Sequence, residues 1–174
     1  TPRSRWWVLG LWRQALGRVK ASGIPYTIFY PTNFMETLAQ RHTAGRYFLM
    51  LGRSQYRNYW IAGSDFGAQV ARSFALPSSA NREYIVQGPE ALTYDEAAMR
   101  YCRAPLPPRR LVRIPLWMVR VGGLFSRTLH FDARIMETVL RYPEVFKAQE
   151  TWAELGTPTT TIEQFAKRGV RSVS

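Results

Sequence analysis

Few side chains in this 174-residue chain have a type and spacing that could carry chemistry unaided. His42 and His130 are far apart, and neither has a carboxylate at metal-ligand spacing. They read as surface or internally satisfied histidines, and no metal site is expected. Cys102 is the only cysteine, which excludes an intramolecular disulfide and a cysteine-built zinc site. It reads as a packing residue at a helix end, the other reading being a reactive thiol beside Arg100 and Arg103. Asp95-Glu96 is better explained by a helix start than by paired acid and base chemistry. No Gly-x-Ser-x-Gly is present, which removes the usual serine-hydrolase elbow. What is left is Pro31-Thr32-Asn33-Phe34, just after a strand-like run. Its backbone amides, with the Thr32 and Asn33 side chains, could meet a carboxamide while Phe34 supplies an apolar wall. The same turn could equally do no more than cap the helix that follows.

The elements that would position this turn can be read outward from it. Leu9 to Ala21 places Leu9, Trp12, Leu16 and Val19 near helical spacing, with Ser22-Gly23 as the stop. Pro25 to Tyr30 is rich in β-branched and aromatic residues between two prolines, and predicts a strand buried on both faces in a parallel sheet. Residues just past the carboxyl end of such a strand are where open α/β sheets bind ligands. Asn33 to Ala39 predicts a short helix, Arg46 to Leu51 a second strand, and Arg53 to Asn58 a loop. Ser64-Asp65 reads as an N-cap for a helix to Leu76. Glu83 to Gln87 is a third strand, stopped by Gly88-Pro89. Thr93 with Glu96 forms a capping box opening a helix through Tyr101, and Thr160 with Glu163 repeats the pattern before Phe165. Ala104 to Arg110 reads as a turn or linker, and Ile114 to Phe125 and Asp132 to Arg141 as two further helices.

Three stretches carry a family resemblance. Ala21-Ser-Gly-Ile-Pro-Tyr-Thr-Ile-Phe-Tyr-Pro-Thr-Asn-Phe-Met-Glu36 resembles the segment after the catalytic helix in NmrA-like, atypical short-chain dehydrogenase/reductases. Trp60-Ile-Ala-Gly-Ser-Asp65 and Tyr84-Ile-Val-Gln-Gly-Pro-Glu-Ala-Leu-Thr-Tyr-Asp-Glu-Ala-Ala98 agree with it in order, so the likeness covers residues 20 to 102. The resemblance implies an NAD(P)-binding Rossmann domain whose C-terminal half carries the pocket for a small-molecule substrate. It implies a hydride-transferring oxidoreductase or, in some members, a redox-sensing regulator without turnover. Carried over residue by residue, Pro31, Thr32, Asn33 and Phe34 match the loop beside the nicotinamide.

The chain departs from that family at its other landmarks. No two glycines stand three apart, so the turn that lets a backbone approach a pyrophosphate at a helix N-terminus cannot be written onto it. The family's Tyr-x-x-x-Lys is also missing, because no tyrosine has a lysine four residues later. Counting back from Gly23, those positions fall near Val8 and Trp12. The expected fold is therefore α/β, the C-terminal part of a Rossmann-like parallel sheet of about three strands with a helical C-terminal cap. The N-terminal βαβ half is expected to be absent. Residues 1–103 form the partial Rossmann-like region, with 1–19 divergent, and 104–174 the mainly helical substrate side. Such a piece of an NAD(P)-dependent enzyme is expected to be inactive alone, with doubtful cofactor binding and a tendency to self-associate through an exposed sheet edge.

Composition bounds the alternatives. With 46% apolar and 21% charged residues, the chain can bury a core, at this size roughly 70% of its unfolded surface. No apolar run approaches the ~20 residues that cross a bilayer, and nothing demands an oxidising compartment, so the cytoplasm is the expected location. The net charge of +12 is diffuse, which disfavours a nucleic-acid footprint. Residues 97–131, free of acids and holding Leu116, Trp117, Val121, Leu124 and Phe125 among arginines, suggest the rival reading. In it the chain is a non-catalytic interaction or regulatory module that docks on an acidic partner or a membrane surface.

Overall fold

The computed structural model describes residues 7–105, 107–115, 117–118, 121 and 143–171. Its organising pair is β1 (Thr27–Pro31) and β6 (Arg82–Val86), which run parallel in the register Thr27↔Arg82 to Pro31↔Val86. Both follow from short apolar runs closed by punctuating residues, Pro31 in one case and Gly88-Pro89 in the other. Above β1 lies α1 (Trp7–Ala21), held by Trp12 edge-on to Tyr30 at 5.5 Å and by the Lys20–Glu83 ion pair at 2.5 Å.

A second group consists of β2 (Asn33–Phe34), β5 (Arg57–Ile61) and β7 (Ala91–Thr93), with β5 parallel to β2 and antiparallel to β7. A third holds β3 (Thr43–Ala44), β4 (Tyr47–Leu51) and β8 (Arg110–Ile114), with β8 parallel to β4. Among the helices are α2 (Glu36–His42), α3 (Gly63–Phe74) and α4 (Tyr94–Arg103). Two more, α5 (Gln149–Leu155) and α6 (Ile162–Arg171), belong to the C-terminal segment. The core lies between β4, β5, α4 and α6, where Phe48, Met50, Trp60, Tyr94, Tyr101 and Ile162 are buried together.

Several expectations change. The second predicted strand does not join the first and third; β4 pairs with β8 instead. That partner was read as linker and helix start because Arg110 and Arg113 mask it, yet an edge strand tolerates exposed charge. The predicted loop over 53–58 ends in β5, whose polar start hid it; Asn58 is buried there. Asn33-Phe34 is extended, not helical, because its backbone pairs with Trp60 and Ile61. Asp65 does not cap α3, whose N-cap is Ala62 without a side-chain bond. The Asp65 carboxylate instead receives Thr159 N–H, Thr160 N–H and the Thr160 hydroxyl, each at 2.8 Å, stapling the C-terminal segment to α3. The capping box at Thr93 and Glu96 is present in full. The C-terminal one falls one residue later, between Thr161 and Gln164. The predicted helix over Asp132 to Arg141, and most of that over Ile114 to Phe125, lie outside the described residues.

Cys102 is buried and its thiol is pushed up to about 11 by burial, so it packs and does not react. His42 sits in the core against the rings of Phe48 and Tyr94. Among the described residues no helix is long and apolar enough to cross a membrane, and no three His, Cys, Asp or Glu side chains gather where a metal ion could be held.

Candidate functional site

The carboxyl ends of β1, β5 and β6 converge on the turn 31–35. Thr32 N–H donates to Val86 carbonyl at 3.1 Å, its hydroxyl donates to Tyr59 carbonyl at 3.0 Å, and Met35 N–H donates to Ile61 carbonyl at 2.9 Å. The turn is thereby stitched to two strands. Of its four candidate residues, Pro31 is exposed and Thr32 has both its N–H and its hydroxyl proton committed internally. Phe34 lies edge-on to Phe66 at 5.6 Å, so it is a packed wall. Asn33 alone keeps a half-buried side-chain amide with no hydrogen-bond partner among the described residues. Its donor and acceptor together suit a ligand amide.

Behind the turn, a polar cluster fixes the strand ends. The fully buried Gln87 donates through Nε2 to Glu144 Oε1 at 2.5 Å and to Val145 carbonyl at 3.0 Å. Its Oε1 accepts Lys147 N–H at 2.7 Å and its carbonyl accepts Trp152 Nε1–H at 3.2 Å. Glu144 Oε2 accepts Tyr59 N–H at 2.8 Å. Burial raises the Glu144 carboxyl above the usual carboxylate range, opposed by these two hydrogen bonds. One peptide therefore links the cluster to the turn, since the N–H of Tyr59 is held by Glu144 while its carbonyl holds Thr32. Next to Gln87, Gly88 lies so close to β5 that a Cβ there would stand 1.6 Å from Trp60 carbonyl oxygen. Only glycine permits that approach.

A second carboxylate borders the turn. Glu36 Oε1 accepts Gly63 N–H at 2.8 Å, placing negative charge at the start of α3, where the helix dipole favours it. Its other oxygen is buried and without a partner among the described residues.

Sequence reasoning found the turn but missed Gln87, Glu144 and Glu36. Gln87 carried a readable signal, an uncharged polar residue ending an otherwise apolar strand before Gly88-Pro89. Glu144 carried none, since only tertiary folding brings it to Tyr59. The arrangement can orient an amide at Asn33, keep water from one face with Phe34, and hold the turn rigid. Neither a Tyr-x-x-x-Lys pair nor a glycine-rich phosphate turn occurs in the sequence to add to this.

No protein-family model matches the chain. Over 103 residues it is 31% identical to an NAD(P)H azoreductase from Xenophilus azovorans, covering 57% of this chain and 35% of that protein. A leucoanthocyanidin reductase–NADPH binary complex from Vitis vinifera superposes with a TM-score of 0.67 at 14% identity, over 91% of this chain and 59% of that one. An NADPH-dependent quinone oxidoreductase from Escherichia coli gives 0.63 at 17% identity, over 88% and 58%. The fold is Rossmann-like. The parallel β1–β6 pair corresponds to a sheet flanked by helices in these structures, and the described part contains no closed barrel. The chain spans about a third of the azoreductase's length, and under two thirds of these solved chains.

Proposed function

We propose that the chain is the nicotinamide-side and substrate-side portion of an NAD(P)-dependent oxidoreductase of the NmrA-like short-chain dehydrogenase/reductase type, acting on a small organic molecule. The observation that carries the reading is the Asn33 amide, left without an internal partner at the carboxyl end of a parallel strand pair where every neighbouring polar group is committed. The 31% identity to an azoreductase supports it.

The residues present fit one end of a dinucleotide and not the other. Asn33 offers a donor and an acceptor to a carboxamide, and Phe34 closes one side of that position. No glycine-rich turn is available for a pyrophosphate. When bound, the cofactor would supply the hydride. The chain's own residues bind and orient: Asn33 fixes the amide, Thr32 ties the turn to β5, and Glu144 with Gln87 keeps that strand end in place. On this reading the chain alone is inactive and holds NADPH too weakly for saturation, for want of the phosphate contacts that a helix N-terminus provides.

The test joins the glycine-rich βαβ portion of the azoreductase ahead of α1 and titrates NADPH, following tryptophan fluorescence. The chimera is expected to bind saturably in the micromolar range, and Asn33→Ala to weaken it about tenfold, the loss of one good hydrogen-bonding group. A folded chimera that ignores NADPH, or one indifferent to Asn33, would refute the reading.

A further inference from the structure

We propose that this chain forms a two-fold symmetric dimer in which β1 pairs antiparallel with β1 of a second copy while the two α1 helices pack side by side above the joined sheet. The inference goes beyond the cofactor reading and does not depend on it.

The first observation is the parity of β1. Thr32 N–H bonds Val86 carbonyl and Tyr26 carbonyl accepts Asn81 N–H, so the even-numbered residues turn their backbone groups toward β6. Alternation turns Thr27, Phe29 and Pro31 to the other edge, which pairs with no described strand. A two-fold axis through Phe29 sets Phe29 opposite its own copy and Thr27 opposite Pro31. Each Phe29 then exchanges N–H and carbonyl with its copy, and each Thr27 N–H reaches a Pro31 carbonyl. Pro31, lacking an N–H, leaves Thr27 carbonyl to water and limits how far pairing extends.

The second observation lies on the helix. Trp12 meets Tyr30 of β1 and Lys20 meets Glu83 of β6, so the Trp12–Leu16–Lys20 face lies on the sheet. The neighbouring stripe Leu11, Ala15, Val19, also at four-residue steps, therefore looks past β1 toward the same unpaired edge. Leu11 is 55% and Val19 42% exposed, and nothing among the described residues covers them. Trp12 above Tyr30 and Lys20 beside Glu83, whose register partner is Ile28, put Ala15 near the level of Phe29.

These two observations select the occupant. One axis through Phe29 brings the smallest residue of the stripe, Ala15, against its own copy, where helices packed ~8–10 Å apart come closest. It sets Leu11 against Val19, and Trp12 against Arg18, an apolar pair and a cation–π pair. The two helices run antiparallel, which opposes their dipoles favourably. A second copy thus supplies, in one symmetric step, both the strand and the helix that this surface lacks, and the contact closes at two chains.

The test uses the whole 174-residue chain. Sedimentation equilibrium at ~100 µM should give twice 20.1 kDa, and dilution should lower it toward the single-chain mass. Ala15→Arg sets like charges on the axis and should yield a single-chain mass with an unchanged far-ultraviolet circular dichroism spectrum. Ala15→Cys should form an intermolecular disulfide under mild oxidation, since facing positions fall within the ~4.4–6.8 Å that such a bond spans, and exposed Gln14→Cys should not. A single-chain mass for the wild type at ~100 µM would overturn the proposal. So would open-ended aggregates, or a dimer that survives Ala15→Arg and leaves Ala15→Cys uncross-linked.

Discussion

Gly88→Ala tests most directly how the site is built. Gly88 is buried, and an added Cβ would stand 1.6 Å from Trp60 carbonyl oxygen, 2.3 Å from its carbon and 2.9 Å from Ile61 nitrogen. All three are backbone atoms of β5, so no side chain can rotate away. Restoring ordinary contact means moving the end of β6 off β5 by more than an ångström. Overpacking of this kind costs about 1–3 kcal/mol. The movement also stretches the four hydrogen bonds centred on Gln87, each contributing about 1 kcal/mol. Losing two of them brings the expected cost to about 3–5 kcal/mol, or a fall in Tm of about 10 °C for a chain of this size. Urea denaturation followed by circular dichroism measures it. Gly67→Ala is the matched control, in an exposed turn of α3 with nothing within 4 Å of the new Cβ. It should gain about 0.5–1 kcal/mol from helix propensity. If Gly88→Ala lies within about 1 kcal/mol of wild type while the control behaves, β6 does not approach β5 this closely and the account of the strand ends fails.

Three further outcomes follow from the same geometry. Asp65→Ala removes a carboxylate acceptor shared by three donors and should cost about 2–3 kcal/mol in urea denaturation, with α6 most affected by hydrogen exchange. Because burial raises the folded-state pKa of Glu144 above its unfolded value, its contribution to stability is fully present below the unfolded pKa and is lost as pH rises through the folded one. The stability of Glu144→Gln relative to wild type should therefore improve steadily from pH 4 to pH 7, and a flat difference would contradict the assignment. Cys102, with its thiol pushed up to about 11, should resist a thiol-reactive dye at pH 8 in the native state and react at once in denaturant.

How much of this was legible depended on where each signal resides. β1 and β6 were readable because prolines and glycine punctuate short apolar runs, and the Thr93 cap because its partner is three residues away. Local chemistry of that kind survives folding. β8 and β5 were not readable, since their strand character comes from neighbours: β4 supplies the ladder for Arg110–Ile114, and β2 and β7 shelter Asn58. Asp65 looked like a helix cap because a first-turn acid usually is one, and only the fold brings residues 159–160 to it. Within the site the turn at Asn33 was visible from its place after a strand. The Glu144–Tyr59 link spans 85 positions and leaves no trace in either local sequence.

The C-terminal segment rests on its neighbours in an uneven way. Thr151 donates to Ile85 carbonyl, Trp152 to Gln87 carbonyl and Tyr59 N–H to Glu144, while Gln69 and Arg72 donate to the carbonyls of Gly156 and Leu155. In each of these contacts one party is main chain, which substitution leaves in place. The outward side chains of the strands can therefore drift without unseating the segment that faces them, as long as the backbone path holds. Such an arrangement lets a lineage reshape what the cleft accepts while the frame around it stays still.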